Sequence, residues 1–183
     1  MPGPITGNLV TVIRQYRNLS ALRTLGYDLD FRKSLVLSAL GKFTLNGNWT
    51  YLQRYKTQVS DGGPLIDFAG NNGFSAFPRT RATTSLAWEY QAFTTQLTYY
   101  YTGAYAQTGA PAGTTQDRVG EYRQYDLYVS WEGIKNLKLF ASIQNLANNH
   151  PPFDVATGGL PFDFSLYDAR GRYFRAGLSY KFL

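Results

Sequence analysis

Through nearly the whole chain, apolar and polar residues take turns one by one. A repeat of two belongs to the extended strand, whose successive side chains point to opposite faces; a helix repeats every 3.6 residues. Residues 172–183, RYFRAGLSYKFL, show the pattern plainly: Phe174, Ala176, Leu178, Tyr180 and Phe182 alternate with Arg175, Gly177, Ser179 and Lys181. Further upstream, Ala82, Thr84, Leu86, Trp88 and Tyr90 share one face, and Arg79, Arg81, Thr83, Ser85, Ala87 and Glu89 the other. Phe43, Leu45, Trp49 and Tyr51 oppose Lys42, Thr44, Asn46, Asn48 and Thr50 in the same way. So do Tyr27, Leu29 and Phe31 against Asp28, Asp30 and Arg32, and Tyr125, Leu127, Val129 and Trp131 against Gln124, Asp126, Tyr128 and Ser130. The alternation predicts eight strands, at about 8–17, 22–33, 40–56, 78–90, 92–105, 120–132, 136–146 and 171–182, in one domain spanning 1–183 with a lead of about seven residues.

The joins near 34–40, 90–92 and 133–136 are brief, whereas those near 57–77, 106–119 and 147–170 are long and rich in Gly, Pro, Asn and Asp, as surface loops are. The first join, near 18–21, breaks this rule by being short. Short turns at one end and long loops at the other are the layout of an outer-membrane barrel.

Period two does not by itself say which face meets what. A soluble sandwich hides its apolar face, and a membrane barrel turns it toward lipid. Three features favour the barrel. The polar face carries charges of both signs, Asp28, Asp30, Arg32, Lys42, Arg79, Arg81, Glu89, Asp126, Glu132 and Arg175, which can pair in a narrow interior. Aromatic residues gather toward strand ends, where Trp49, Trp88, Tyr90, Tyr99, Tyr101 and Trp131, with Tyr180 and Phe182, suit girdles at the lipid–water boundary. Several strands also exceed the usual ~5–6 residues of soluble sheets and reach the ~9–11 that a tilted spanning strand needs.

Composition agrees. Aromatic residues make up 16% of the chain, and charged residues, also 16%, fall below the roughly one-quarter usual in soluble domains. No apolar run approaches the ~20 residues of a transmembrane helix. The formal charge of +6 is scattered over strand ends and loops with no basic run, which argues against nucleic acid as a partner. The start, MPGPITGNLV, lacks the basic and apolar segments of a secretory leader, so a leader has been removed or the chain is a piece of something longer.

The chain end adds a resemblance. Arg175-x-Gly177-x-x-Tyr180-x-Phe182 resembles the carboxy-terminal assembly signal of outer-membrane proteins, although here Leu183 follows the final aromatic. That likeness implies recognition by the bacterial barrel-assembly machinery, which pairs with the last strand as an exposed edge. Residues 136–153, NLKLFASIQNLANNHPPF, and 167–180, YDARGRYFRAGLSY, are similar to the end of the TonB-dependent receptor family, with Ala147 and Asn148 standing where Phe and Asp are more usual. Residues 22–31 and 41–58 look like earlier barrel strands of the same family, so the likeness covers the chain from about residue 8. It implies a bacterial outer-membrane location and a parent that imports a ligand, often a ferric siderophore, cobalamin or saccharide, with TonB as partner only in a full receptor. A 22-stranded barrel needs about 220 residues before any loop. This chain matches only the last eight strands, with no plug or coupling box. Eight strands closed on themselves leave room only for their own side chains. The expectation is therefore a monomeric, antiparallel, up-and-down eight-stranded barrel that does not conduct and contacts outer-membrane lipid; an open sheet would need partner strands at both edges. The alternative is a soluble β-barrel holding a small apolar ligand inside.

Catalysis is not expected. His150 stands alone beside two prolines with no serine elbow, and one His without Cys offers too few ligands for a transition metal. Asp61, Asp67, Asp154 and Asp163 lack the spacing of a calcium loop, and no cofactor fingerprint occurs. Arg54, Lys56, Arg118, Arg123, Arg170 and Arg172, near the long-loop ends, can contact lipopolysaccharide phosphates or pair with Asp61, Asp117, Glu121 and Asp168.

Overall fold

The computed structural model describes residues 21–58, 60, 62–108, 113, 117–155 and 161–182. Ten strands run in chain order: β1 (Leu22–Leu37), β2 (Gly41–Gln58), β3 (Leu65–Asp67), β4 (Thr80–Tyr90), β5 (Phe93–Thr102), β6 (Tyr105–Ala106), β7 (Arg118–Val119), β8 (Tyr122–Ile134), β9 (Leu137–Gln144) and β10 (Tyr173–Tyr180). The main sheet has the order β1-β2-β4-β5-β8-β9-β10, with the short β3 added beside β2. Every neighbouring pair is antiparallel. Short turns alternate with long loops as the sequence implies. Gln91 (φ 51°) and Asn136 (φ 66°) take the left-handed backbone that the tight β4–β5 and β8–β9 turns require.

Seven of the eight expected strands are therefore present, each extended or trimmed by a few residues. The expected first strand, 8–17, lies outside the described residues, and with it the seam between that strand and the last. Among the described residues the sheet is open: β1 and β10 each have one neighbour, and no closed cylinder is seen.

The loops depart most from expectation. They are not merely solvated connections, because the tightly buried apolar residues lie there and not between sheets: Phe68, Ala69, Ala76, Tyr105, Val119 and Tyr167, with Tyr122 at the start of β8. The hairpin of β6 and β7 and the segment around Leu166 pack together over Ala76, Tyr105 and Val119. A single sheet has no second sheet to pack against, so the buried apolar cluster among the described residues forms where loops fold on loops.

Candidate functional site

Register fixes the two faces. Across the sheet, Leu45, Leu86, Leu97, Leu127 and Ile143 form one continuous row, with Lys33 at its β1 end and Phe174 at its β10 end. This face is open: Leu86 is 46% exposed and Leu178 69%. The opposite face is polar, exposed along β1 but covered on the strands between, with Thr44 4%, Thr98 8% and Ser130 2% exposed. Hydroxyls are covered and leucines are bare, the reverse of a soluble sheet.

Aromatic residues flank the leucine row. Toward the short turns, Tyr90 pairs with Phe93, Phe93 with Trp131, and Phe43 with Trp88. Trp88 lies parallel to Tyr90 at 5.9 Å and donates Nε1–H to Leu40 O at 2.7 Å. Toward the long loops, Trp49 stacks on Tyr51, Tyr99 faces Tyr125, and the Tyr101 hydroxyl donates to Glu121 at 2.9 Å. From Tyr27 to Leu37 this face rises through ten residue steps, about 33 Å of strand or roughly 25 Å of height at barrel tilt, the span of a lipid-facing band in membrane barrels.

On the polar face the predicted residues divide. Lys42 and Glu89, opposite each other across β2 and β4, form an ion pair at 3.2 Å. Asp28 accepts from Thr50 (2.6 Å) and Asp30 from Asn48 (2.7 Å). Asp126 accepts from Gln124 and from the Asn145 N–H. Arg79 lies just before β4 and donates to the carbonyls of Leu52 and Gln53, which places it outside the strand face. Arg32, Arg81 and Arg175 form no ion pair among the described residues. Amides and hydroxyls thus satisfy Asp28, Asp30 and Asp126, while Glu89 and Glu132 take ion pairs, the latter with Lys138 at 2.6 Å. Asp30, Arg32, Asn46, Asn48, Thr83 and Ser85 line an open groove of about 490 Å³ on this face.

The residues of the chain end have local roles. Gly177 lies opposite Phe140, and a Cβ there would stand 2.6 Å from the Phe140 ring, so the aromatic ring covers the glycine. Arg175 faces Ser142 and Tyr180 faces Leu137; Phe182 lies beyond the strand, 83% exposed and edge-on to Tyr180 at 5.0 Å. The asparagine motif before it is a clasp. Asn145 (φ 51°) accepts from the Asn149 N–H and donates back to Asn149 O. Asn148 (φ 56°) accepts from the Arg172 N–H, and a Cβ at Gly171 would lie 2.7 Å from that same Asn148 oxygen.

Sequence reasoning missed the loop staple. Asp154, 1% exposed, accepts from Asn72 Nδ2 (2.9 Å) and from the Tyr105 hydroxyl (3.0 Å). Gln107 accepts from the Val155 N–H and Asn72 from the Thr108 N–H, so three loops share one network. Burial pushes the Tyr167 phenol up to about 12 and raises Tyr105 further still.

With this geometry in place, the comparisons are specific. Residues 2–146 match the family model described as TonB dependent receptor-like, beta-barrel. The chain belongs to this receptor-barrel family. No curated protein matches it. Among solved structures, it is similar to a mutant of the ferric enterobactin receptor PfeA from Pseudomonas aeruginosa, with a TM-score of 0.55 and 19% identity over 87% of this chain. At that identity the likeness concerns the fold. The match spans 22% of the receptor's length. The TonB-dependent receptor barrels are an outer-membrane family, and the open leucine face of this member fits that setting.

Proposed function

We propose that the chain is the carboxy-terminal wall of the barrel of a TonB-dependent importer in the bacterial outer membrane. Its apolar face meets lipid and its polar face lines the interior. The parent's cargo is a ligand of the siderophore type, and TonB is a partner of the full receptor alone. No catalysis and no resident cofactor are assigned. The observation that carries this proposal is the inversion of burial, with Thr44 and Ser130 covered and Leu86 and Leu178 bare. The soluble alternative requires those leucines to be inside.

As a free-standing chain, it closes into a non-conducting, monomeric barrel of eight strands. Support comes from strand direction. Six antiparallel steps separate β1 from β10, so the two run the same way and cannot close antiparallel. One more strand before β1, the alternating segment 8–17, restores an even count and an antiparallel seam with β10. Refolded in detergent, the chain should run as a monomer whose unheated and boiled forms migrate differently on a gel, with disulfide trapping between cysteines placed at 8–17 and in β10. A chain that stays dispersed without detergent rules out the membrane wall; a stable dimer rules out self-closure alone.

A further inference from the structure

The long-loop end of β1 and β2 carries a cluster of three cations that form no ion pair among the described residues. On the lipid-facing side of β1, the residues beyond Tyr27 are Leu25 and Arg23; opposite them on β2 stand Arg54 and Lys56. A bulge between Leu25 and Gly26 absorbs one extra β2 residue, so both strands keep these side chains on the outer face. Arg23 and Arg54 are exposed and Lys56 is half-buried. Among the described residues none of the three makes an ion pair or a side-chain hydrogen bond. Asp67 of β3 lies opposite Lys56; against the opposing effect of burial, the Tyr55 and Ala69 N–H groups that its Oδ1 accepts from, and then the charges of Arg79 and Lys56, hold its carboxyl below the usual carboxylate range.

Of the other cations at this end, Arg118 and Arg172 form no ion pair among the described residues, and two more are occupied. Arg123 is paired with Glu121, and Arg170 holds Asp168 at 2.6 Å and lies 5.1 Å from the Tyr173 ring centre. The sequence explains the difference. No Asp or Glu precedes Asp28, and none occurs between Asp30 and Asp61. On β1 and β2 themselves there is therefore no acid on the outer face to answer these bases, and Asp67 of β3 stands opposite Lys56 alone.

Height identifies the partner. Leu25 and Arg23 stand two and four residues beyond Tyr27, so the cations lie about 7–13 Å of strand past the upper aromatic row. That is headgroup level, directly above Trp49, Tyr51, Leu29 and Tyr27, which face the acyl region. Cations at headgroup level, continuous with an apolar surface, complement an amphiphile whose anionic group sits above its chains. We propose that Arg23, Arg54 and Lys56 form a docking site for the phosphate groups of an outer-leaflet glycolipid, with the acyl chains lying along Tyr27, Leu29 and Trp49. This rests on the membrane-wall assignment, which the folding controls below test separately.

The test uses the refolded 183-residue chain in mixed micelles, titrated with a diphosphorylated lipid A, the same lipid dephosphorylated, and inorganic phosphate, read by native mass spectrometry. The wild type should retain the diphosphorylated lipid at least tenfold better than the dephosphorylated one and bind free phosphate too weakly to detect. An Arg23→Gln/Arg54→Gln/Lys56→Gln variant should lose tenfold or more, while Arg170→Gln/Arg172→Gln retains wild-type binding. Equal binding of the two lipids by the wild type overturns the site without any variant. Unchanged binding in the triple variant overturns it too, and retention of free phosphate alone marks a simple anion site. Unheated gel mobility checks each variant's fold; if the triple variant does not fold, the same titration is read on the three single variants, each expected to lose about threefold.

Discussion

At the residue scale, two side chains break the rules of their surroundings. Gly177 is bare where its strand neighbours have side chains, because the Phe140 ring occupies the space its Cβ would fill. Gly177→Val should therefore destabilise the folded chain by about 1–3 kcal/mol, as overpacking does. A denaturant midpoint equal to wild type would show that Phe140 swings aside freely. Lys33 is the opposite case, a cation at the β1 end of the leucine row. A lysine facing lipid near the midplane costs about 2–4 kcal/mol, so Lys33→Leu should raise stability in vesicles by a similar or smaller amount. A fall in stability would mean that Lys33 has a partner beyond the described strands. The alternation made the face of Leu86 or Trp88 legible from sequence, since a strand alternates wherever no bulge interrupts it. Lys33 escaped notice because the strand was read only to residue 33 and in fact runs to Leu37.

At the scale of elements, the loops hold the clearest departure. Asp154 ties a turn at Asn72 to Tyr105 and sits between the loop segments that flank β9 and β10. Asp154→Ala leaves two donors without their acceptor, at about 1–3 kcal/mol for each buried group, and should open the loops to limited proteolysis while the strands keep their heat-dependent gel shift. Loops that stay protected would mean that packing around Val119 is enough. Tyr167 gives a pH signature. Its phenol ionises at about 12 in the folded plate against 10 in the open chain, so the unfolded form loses its proton first. The contribution is intact below pH 10 and is lost as pH rises from there through about 12. Tyrosinate absorbance should show a class of phenols titrating late, and Tyr167→Phe should remove one member of it. None of this plate was readable beforehand. Composition marked these segments as loops correctly, but a contact such as Asn72 with Asp154 leaves no periodic trace in either segment.

At the scale of the molecule, the fold class, the strand order and the division into an exposed apolar face and a polar face follow from a repeat of two and the spacing of turns. The interior charge network does not, because alternation says which side a charge occupies and not whether an amide reaches it first. Asp30 found Asn48 directly opposite, so it did not need Arg32. Each hairpin of the wall joins neighbours in sequence and can form as soon as both strands exist. The plate above it cannot: Asn72 and Asp154 are 82 residues apart, and the pairing of every hairpin from β4 to β9 comes between them. The outward surface built on that pair thus exists only in molecules whose strands have been laid down through β9. An antibody raised against it would count chains folded that far and pass over those stalled earlier, which makes the loop end of this protein a natural reporter of its own assembly.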